Sequence, residues 1–176
     1  MMIRKAIIED IDRIVEIYDE IHTEEERGRT TTGWVRGIYP EYKTALNALE
    51  RGDLFVEIDG GRIVGSGIIN KEQVDVYRYG AWQWEAADDE VMVLHTLVIS
   101  PSVSGHGLGK AFVSFYEEYA AKQGCKYLRM DTNERNHRAR DLYRKLGYRE
   151  AGVFPTVFNG LEDVNLVLLE KKIQCD

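Results

Sequence analysis

Three alternating glycines form the first feature of this sequence that could do chemistry. Gly105, Gly107 and Gly109 separate an apolar segment from an amphipathic one, and Lys110 follows them directly. Glycine adopts positive φ without strain, so consecutive backbone N–H groups can point into one concavity. The first turn of a helix adds free N–H groups and the positive end of its dipole. The spacing therefore predicts a site for a phosphate or pyrophosphate.

Two familiar phosphate-binding patterns match this turn poorly. A Walker loop requires Ser or Thr after Gly-Lys, and Ala111 stands there instead. A dinucleotide fingerprint has the spacing G-x-G-x-x-G after the first strand of the fold, with an acidic residue about 20 positions further on. Here a long stretch of chain precedes the glycines, although Asp131 lies near the expected distance. A nucleotide-dependent oxidoreductase therefore remains an alternative function, which the sequence favours least.

A second motif carries apolar residues at helical spacing and a glycine placed to end the helix. Its positions are Asn136, Ala139, Tyr143, Lys145, Gly147 and Tyr148. Together with the glycine turn it resembles the GCN5-related N-acetyltransferases. In that family a strand, a loop of the type Arg/Gln-x-x-Gly-x-Gly/Ala and a helix hold acetyl-coenzyme A. A later Asn-x-x-Ala-x-x-x-Tyr-x-Lys-x-Gly-Tyr/Phe segment completes the site, and the resemblance covers residues 90–155.

One position departs from the family pattern. Ser104 stands before the first loop glycine, where the family commonly has Arg or Gln. A guanidinium contact to the pyrophosphate is therefore missing there. The backbone N–H groups of Gly105, His106, Gly107, Leu108, Gly109 and Lys110 can still bind, with a serine hydroxyl, His106 or Lys110 assisting. We expect weaker rather than abolished cofactor binding.

The hydrophobic pattern predicts alternating helices and strands in one domain over residues 1–176. A strongly apolar central strand covers residues 91–99, and the closing strands cover residues 148–154 and 164–169. The resemblance implies an α/β fold with a mixed, mostly antiparallel sheet. About four helices flank that sheet, and it is splayed at the cofactor site.

Charge and composition limit the partners of this protein. A net charge of −7 argues against nucleic-acid binding, which usually requires a basic face. No apolar run approaches the roughly 20 residues of a membrane span, and the first residues lack a signal-peptide core. Cys125 and Cys175 have no metal-ligand spacing, which indicates two free thiols and no metal site. We therefore expect a cytoplasmic protein without nucleic-acid or membrane partners.

The resemblance also implies roles for backbone and side chains. In the family, backbone groups at the end of the central strand hold the acetyl and pantetheine portions, which corresponds to Leu97, Val98 and Ile99. A tyrosine of the second motif protonates the coenzyme A sulfur, which corresponds to Tyr143. Tyr143 also lies on the apolar stripe of its helix, so a core aromatic is the alternative. Asn136 serves as a helix N-cap or a cofactor contact.

The general base has three candidates. By strand alternation His95 shares one face with Leu97 and Ile99, and a histidine removes the proton in the similar arylalkylamine N-acetyltransferases. A core histidine bonded to a carbonyl is the equal alternative. Glu90 is a second candidate because many members place a glutamate near the start of this strand, although its acidic neighbours suggest a solvated loop. A base that acts on the amine through a chain of water molecules is the third candidate.

Aromatic residues outside both motifs are candidates for the acceptor pocket. Trp34 and Tyr39 fall between the first two helices, and Trp82 and Trp84 lie before the central strand. Aromatic side chains in loops can form a pocket for an apolar or cationic acceptor. These aromatic residues could equally form a homodimer contact or a small separate hydrophobic core. These residues leave the acceptor unidentified.

Two classes of function follow from these patterns. The first is an N-acetyltransferase that moves an acetyl group from acetyl-coenzyme A directly to a primary amine of a small molecule or protein. The second is a non-catalytic acyl-coenzyme A sensor, which the serine at position 104 would permit. Tyr143 favours the enzyme, because a protein that only binds the cofactor needs no acid for a leaving thiolate.

Overall fold

A seven-stranded sheet with four helices forms the computed structural model, which describes residues 1–173. Cys175 lies outside the described residues. The strands are β1 (Met2–Lys5), β2 (Leu54–Asp59), β3 (Arg62–Asn70), β4 (Val91–Ile99), β5 (Tyr127–Asn133), β6 (Arg149–Phe158) and β7 (Leu161–Lys172). The helices are α1 (Ile11–Glu26), α2 (Tyr42–Arg51), α3 (Leu108–Lys122) and α4 (His137–Lys145). The mixed α/β class expected from the resemblance is confirmed.

The sheet has the order β1-β2-β3-β4-β5-β7-β6, and only β4 and β5 pair in parallel. Their pairing begins at Val91 with Tyr127 and ends at Leu94 with Met130. Beyond this point β4 continues along β3 as far as Ile99, while β5 continues along β7. The two strands therefore part, and a wedge-shaped opening lies between them.

A β-bulge at Thr96 changes which face each residue of β4 presents. Thr96 has a φ of 49°, and the register against β3 shifts between Ser66 and Ile68. Two residues of β4 then oppose one residue of β3, which reverses the alternation beyond the bulge. Leu97 packs on the α3 side together with Leu94. His95 therefore does not share a face with Leu97, and the expectation from simple strand alternation is wrong.

Helices cover both faces of the sheet because each carries one apolar stripe. Phe112, Val113 and Tyr116 of α3 are fully buried against one face. Ile14 of α1 and Ala45 of α2 are fully buried against the other face. These two layers fix the strands on either side of the opening.

The predicted strand limits agree best where apolar residues are continuous. β4 has the predicted bounds. The last two strands are longer than predicted, since β6 extends to Phe158 and β7 runs from Leu161 to Lys172. These added ends carry polar residues, and backbone pairing supports them: the ends near the hairpin pair with each other, and Lys171 and Lys172 pair with β5.

Glu57 is a fully buried carboxylate in β2, opposite Gly65 of β3. Neither carboxylate oxygen has a hydrogen-bond partner among residues 1–173. Burial, with the nearby charge of Asp59, raises the pKa of Glu57 to about 7. The protonated form is therefore favoured in the folded protein well above the usual range of a glutamate.

Replacing Glu57 with Gln should stabilise the protein at high pH. The folded state holds this proton more tightly than the unfolded state, so wild-type stability falls as pH rises from about 4.5 to 7. We expect the free energy of unfolding of Glu57→Gln, relative to wild type, to be higher at pH 8 than at pH 5 by about 1–3 kcal/mol. Urea unfolding at both pH values measures it, and a difference independent of pH contradicts the account.

Candidate active site

The opening between β4 and β5 leads into a cavity of about 110 Å³. The first residues beyond the paired region contribute to its wall, and so do α4, the α1–α2 connection and the β6–β7 hairpin. The lining includes Trp34, Tyr39, Leu94, His95, Thr96, Leu97, Asp131, Asn136, Tyr143 and Phe158. Candidate residues of the central strand and of the second motif therefore meet in one cavity, while the glycine loop is not part of its lining.

The glycine loop precedes α3 at the end of β4. Gly105 and Gly107 have φ values of 92° and 81°, which side chains other than glycine rarely adopt. The backbone N–H groups of residues 105–110 have no acceptor among residues 1–173, and the bond from Ala111 to the Gly107 carbonyl is the first of the helix. Such a run of free donors at a helix N-terminus fits a pyrophosphate.

Side chains of the loop fall into two groups. Ser104, His106 and Lys110 are exposed, so each can reach a bound phosphate group. Leu108 is buried and anchors the start of α3 to the protein. A Cβ added at Gly109 would lie 3.6 Å from the Leu142 side chain of α4, an ordinary van der Waals distance, so the start of α3 lies beside α4.

The end of β4 offers free backbone to the opening. Val98 and Ile99 are paired with Ser66 and Gly65 of β3, on the side of β4 that faces away from β5. The opposite edge has no strand partner after Leu94. Backbone groups of residues 95–99 on that edge can therefore bind an extended ligand as a further strand would. The side chain of Val98 packs into the α1–α2 core.

Tyr143 reaches the cavity from α4. Asn136 caps this helix, since its side-chain oxygen accepts a hydrogen bond of 3.2 Å from the Ala139 N–H. The ring of Tyr143 packs edge-on against Tyr148 at a centroid distance of 6.0 Å. Burial, with a smaller effect of Asp131, raises the pKa of Tyr143, so its hydroxyl stays protonated at neutral pH. Tyr143 is therefore both a core aromatic and a wall of the cavity.

His95 is held by a chain of polar side chains on the face opposite α3. Its Nε2 lies 2.9 Å from Oδ1 of Asn70. That oxygen also accepts the Glu72 N–H, while the Asn70 amide nitrogen donates to Asp53 at 2.9 Å. The two outer partners fix the Asn70 amide, so Nε2 of His95 is the donor in the first bond. By distance its Nδ1 makes no hydrogen bond among residues 1–173, although the Glu72 backbone lies near enough to the ring to raise the pKa of His95.

Burial lowers the pKa of His95 to about 4, and the charge of Asp53 only partly offsets this effect. The imidazole is therefore neutral at physiological pH, with a weaker basicity than an ordinary histidine. Glu90, in contrast, lies at the opposite end of β4, where its carboxylate accepts the Ala87 N–H. The structure thus brings His95 to the cavity and leaves Glu90 outside it.

The four aromatic candidates separate into two pairs. Trp34 and Tyr39 line the cavity and meet edge-on at 5.8 Å. Trp82 and Trp84 lie in a separate, open groove before β4. The Trp82 ring stacks on the Arg129 guanidinium at 4.1 Å and donates its N–H to the Tyr77 carbonyl. These contacts turn Trp82 away from the cavity.

Two further side chains of the cavity were not assigned to an acceptor site by the sequence patterns. Phe158 packs edge-on against Tyr39 at 5.5 Å, and the Tyr39 hydroxyl shares a hydrogen bond with Thr96. Asp131, considered earlier only as a dinucleotide contact, accepts a hydrogen bond of 2.7 Å from Tyr77. Burial raises the pKa of Asp131 to about 6. The sequence signal that could have identified Asp131 is its position directly after the apolar part of β5.

Within residues 1–173, no cluster of three or more His, Cys, Asp or Glu side chains could hold a metal ion. Among the described helices, none is long and apolar enough to cross a membrane. Cys125 is buried and not part of a disulfide, and burial raises its pKa.

Residues 11–148 match the sequence model of the acetyltransferase (GNAT) family. An uncharacterized N-acetyltransferase of Methanocaldococcus jannaschii is 25% identical over 172 residues, which cover 97% of this chain and 92% of that protein. The crystal structure of a GNAT-family acetyltransferase from Streptococcus agalactiae has a TM-score of 0.83 at 22% identity, covering 98% of this chain and 95% of that one. An acetyltransferase structure from Salmonella typhimurium with its cofactor acetyl-CoA has a TM-score of 0.69 at 17% identity, covering 99% and 94%.

Proposed function

Because the chain belongs to the acetyltransferase (GNAT) family, we propose that it moves an acetyl group from acetyl-coenzyme A directly to a primary amine of a small molecule or protein. One observation carries this proposal. The parted strands β4 and β5 and Tyr143 line the same cavity, and the glycine loop with its free amides lies beside it, because Gly109 neighbours Ile99 at the end of β4 and Leu142 of α4. A cofactor bound along that opening would present its acyl end to the cavity.

The residues present fit acetyl-coenzyme A. The N–H groups of residues 105–110 would hold the pyrophosphate, with Ser104, His106 and Lys110 beside it. The free edge of β4 at Leu97 to Ile99 would bind the pantetheine and acetyl portions. Asn136 lines the cavity while its side-chain oxygen caps α4, so a cofactor contact there is compatible with capping. The cofactor supplies an activated thioester carbonyl.

Two side chains would move protons during transfer. The acceptor nitrogen must lose a proton to expose its lone pair, and Nδ1 of His95 is the acceptor that the Asn70 hydrogen bond leaves free. The Tyr143 hydroxyl would donate to the sulfur as its bond to the acetyl carbon breaks, and the second proton that the acylated nitrogen loses would restore the Tyr143 hydroxyl. Their location in a largely enclosed cavity strengthens both interactions by limiting access to water.

The acceptor side of the cavity is built by Trp34, Tyr39 and Phe158. These rings belong to the α1–α2 connection and the β6–β7 hairpin, so their identity would select the acceptor. The buried thiol of Cys125 favours a reducing compartment such as the cytosol.

Replacing Tyr143 with Phe should lower kcat by about 100-fold, the usual size of general acid catalysis. The affinity for acetyl-coenzyme A should change little, because Phe keeps the packing against Tyr148. Thiol release with a panel of primary amines measures turnover, and calorimetry measures binding. The matched control is Tyr42→Phe, which alters an exposed tyrosine of α2. If turnover and binding fall together, Tyr143 has a structural role. If neither amine turnover nor acetyl-coenzyme A binding is found in folded wild type, the proposed function fails.

Replacing His95 with Gln should change the pH dependence of kcat/KM. Because its pKa lies near 4, His95 protonates and stops accepting protons only as pH falls towards that value. The variant should lose this decrease of kcat/KM at acid pH, and its kcat/KM at neutral pH should be about 100-fold lower than that of wild type. A wild-type rate with an unchanged profile would exclude His95 as the base.

A further inference from the structure

Asp131 is a partly buried carboxylate in the cavity wall without a counter-ion. Its only hydrogen bond among residues 1–173 comes from the Tyr77 hydroxyl to Oδ2, and it makes no ion pair there. Arg129, two residues earlier in β5, directs its guanidinium to Trp82 and Gln73 instead. Partial removal from water without a cation nearby disfavours the charged carboxylate, and this desolvation raises the pKa of Asp131 to about 6.

The surroundings of Asp131 favour a cation over other ligands. Among the side chains that line the cavity, Asp131 carries the one formal charge at neutral pH, given that His95 is neutral. The rings of Trp34, Tyr39 and Phe158 stand in the same cavity, and aromatic faces attract cations. An acidic acceptor would meet repulsion from Asp131, and a neutral one would leave its charge uncompensated.

We propose that the acceptor enters as an alkylammonium ion, whose charged nitrogen pairs with Asp131 against the aromatic wall. The identification of this cation as the acetyl acceptor rests on the proposed function. Binding of the cation requires neither acetyl-coenzyme A nor turnover.

The position of Asp131 suits a role in orienting the acceptor. It is the first residue of β5 beyond the last pair with β4, so it lies where the strands begin to part. Tyr77 occupies Oδ2, which leaves Oδ1 available to the cavity. An ion pair at this point would hold the acceptor nitrogen at the base of the opening, next to the end of β4. Specificity for cationic amines would then follow from a single carboxylate.

The test compares n-butylammonium with 1-butanol, a neutral molecule of similar size. Both are titrated at pH 7.5 into the full chain without acetyl-coenzyme A, and amide chemical shifts in NMR spectra give each Kd. Wild type should bind n-butylammonium at least about 10-fold more tightly than 1-butanol, the range expected for a charge-assisted bond. Asp131→Asn should remove this preference. The matched control, Asp141→Asn, changes an exposed carboxylate of α4 and should keep it.

Equal affinity of wild type for the two probes would overturn the proposal, as would an unchanged preference in Asp131→Asn. Asparagine keeps the oxygen that accepts the Tyr77 hydroxyl, and urea unfolding verifies that the variant is folded. Amine acetylation by wild type without cation preference would overturn this inference and leave the acetyl transfer standing. Cation preference without any acetylation would support the site and contradict the proposed function.

Discussion

The separation of two parallel strands is the constraint on which the rest of this structure depends. β4 and β5 pair only from Val91 to Leu94 and then follow different partners. Thr96, at positive φ, adds a residue to β4 and re-aims the side chains that follow. Helix α3 on one face, and α1 and α2 on the other, hold the strands in place through fully buried side chains. The opening is therefore part of a packed framework.

The position of each group with a proposed role in binding or proton transfer follows from that opening. It leaves one edge of β4 without a partner, and it ends at the free N–H groups before α3. It also admits side chains that would otherwise be sealed in the core. Burial raises the pKa of Tyr143 and lowers that of His95, which reinforces the protonated phenol and the neutral imidazole at physiological pH. Asp131 lies partly buried at the same opening without a counter-ion, and this is the basis of the proposed cation site. One structural feature thus sets the binding edge and the charge states together.

The sequence located the glycine loop and α4, but it located less of the cavity wall that distant segments form. Glycine spacing and the segment from Asn136 to Tyr148 are local patterns, so they identify the loop and α4 directly. The face of His95 depends on a bulge, which strand alternation does not reveal. Trp82 was grouped with Trp34 by residue type, but its stacking on Arg129 is a contact between distant segments. The role of Asp131 depends on where β4 and β5 part, and that point is set by tertiary packing.

Amide hydrogen exchange with and without acetyl-coenzyme A tests the central claim most directly. A ligand bound in the opening should slow exchange at residues 105–110, whose N–H groups lack protein acceptors, and at residues 95–99 on the free edge of β4. Exchange in β1 and β2 should not change, and NADH at the same concentration should not produce the effect. Protection absent from both segments, or equal protection by NADH, would contradict the account.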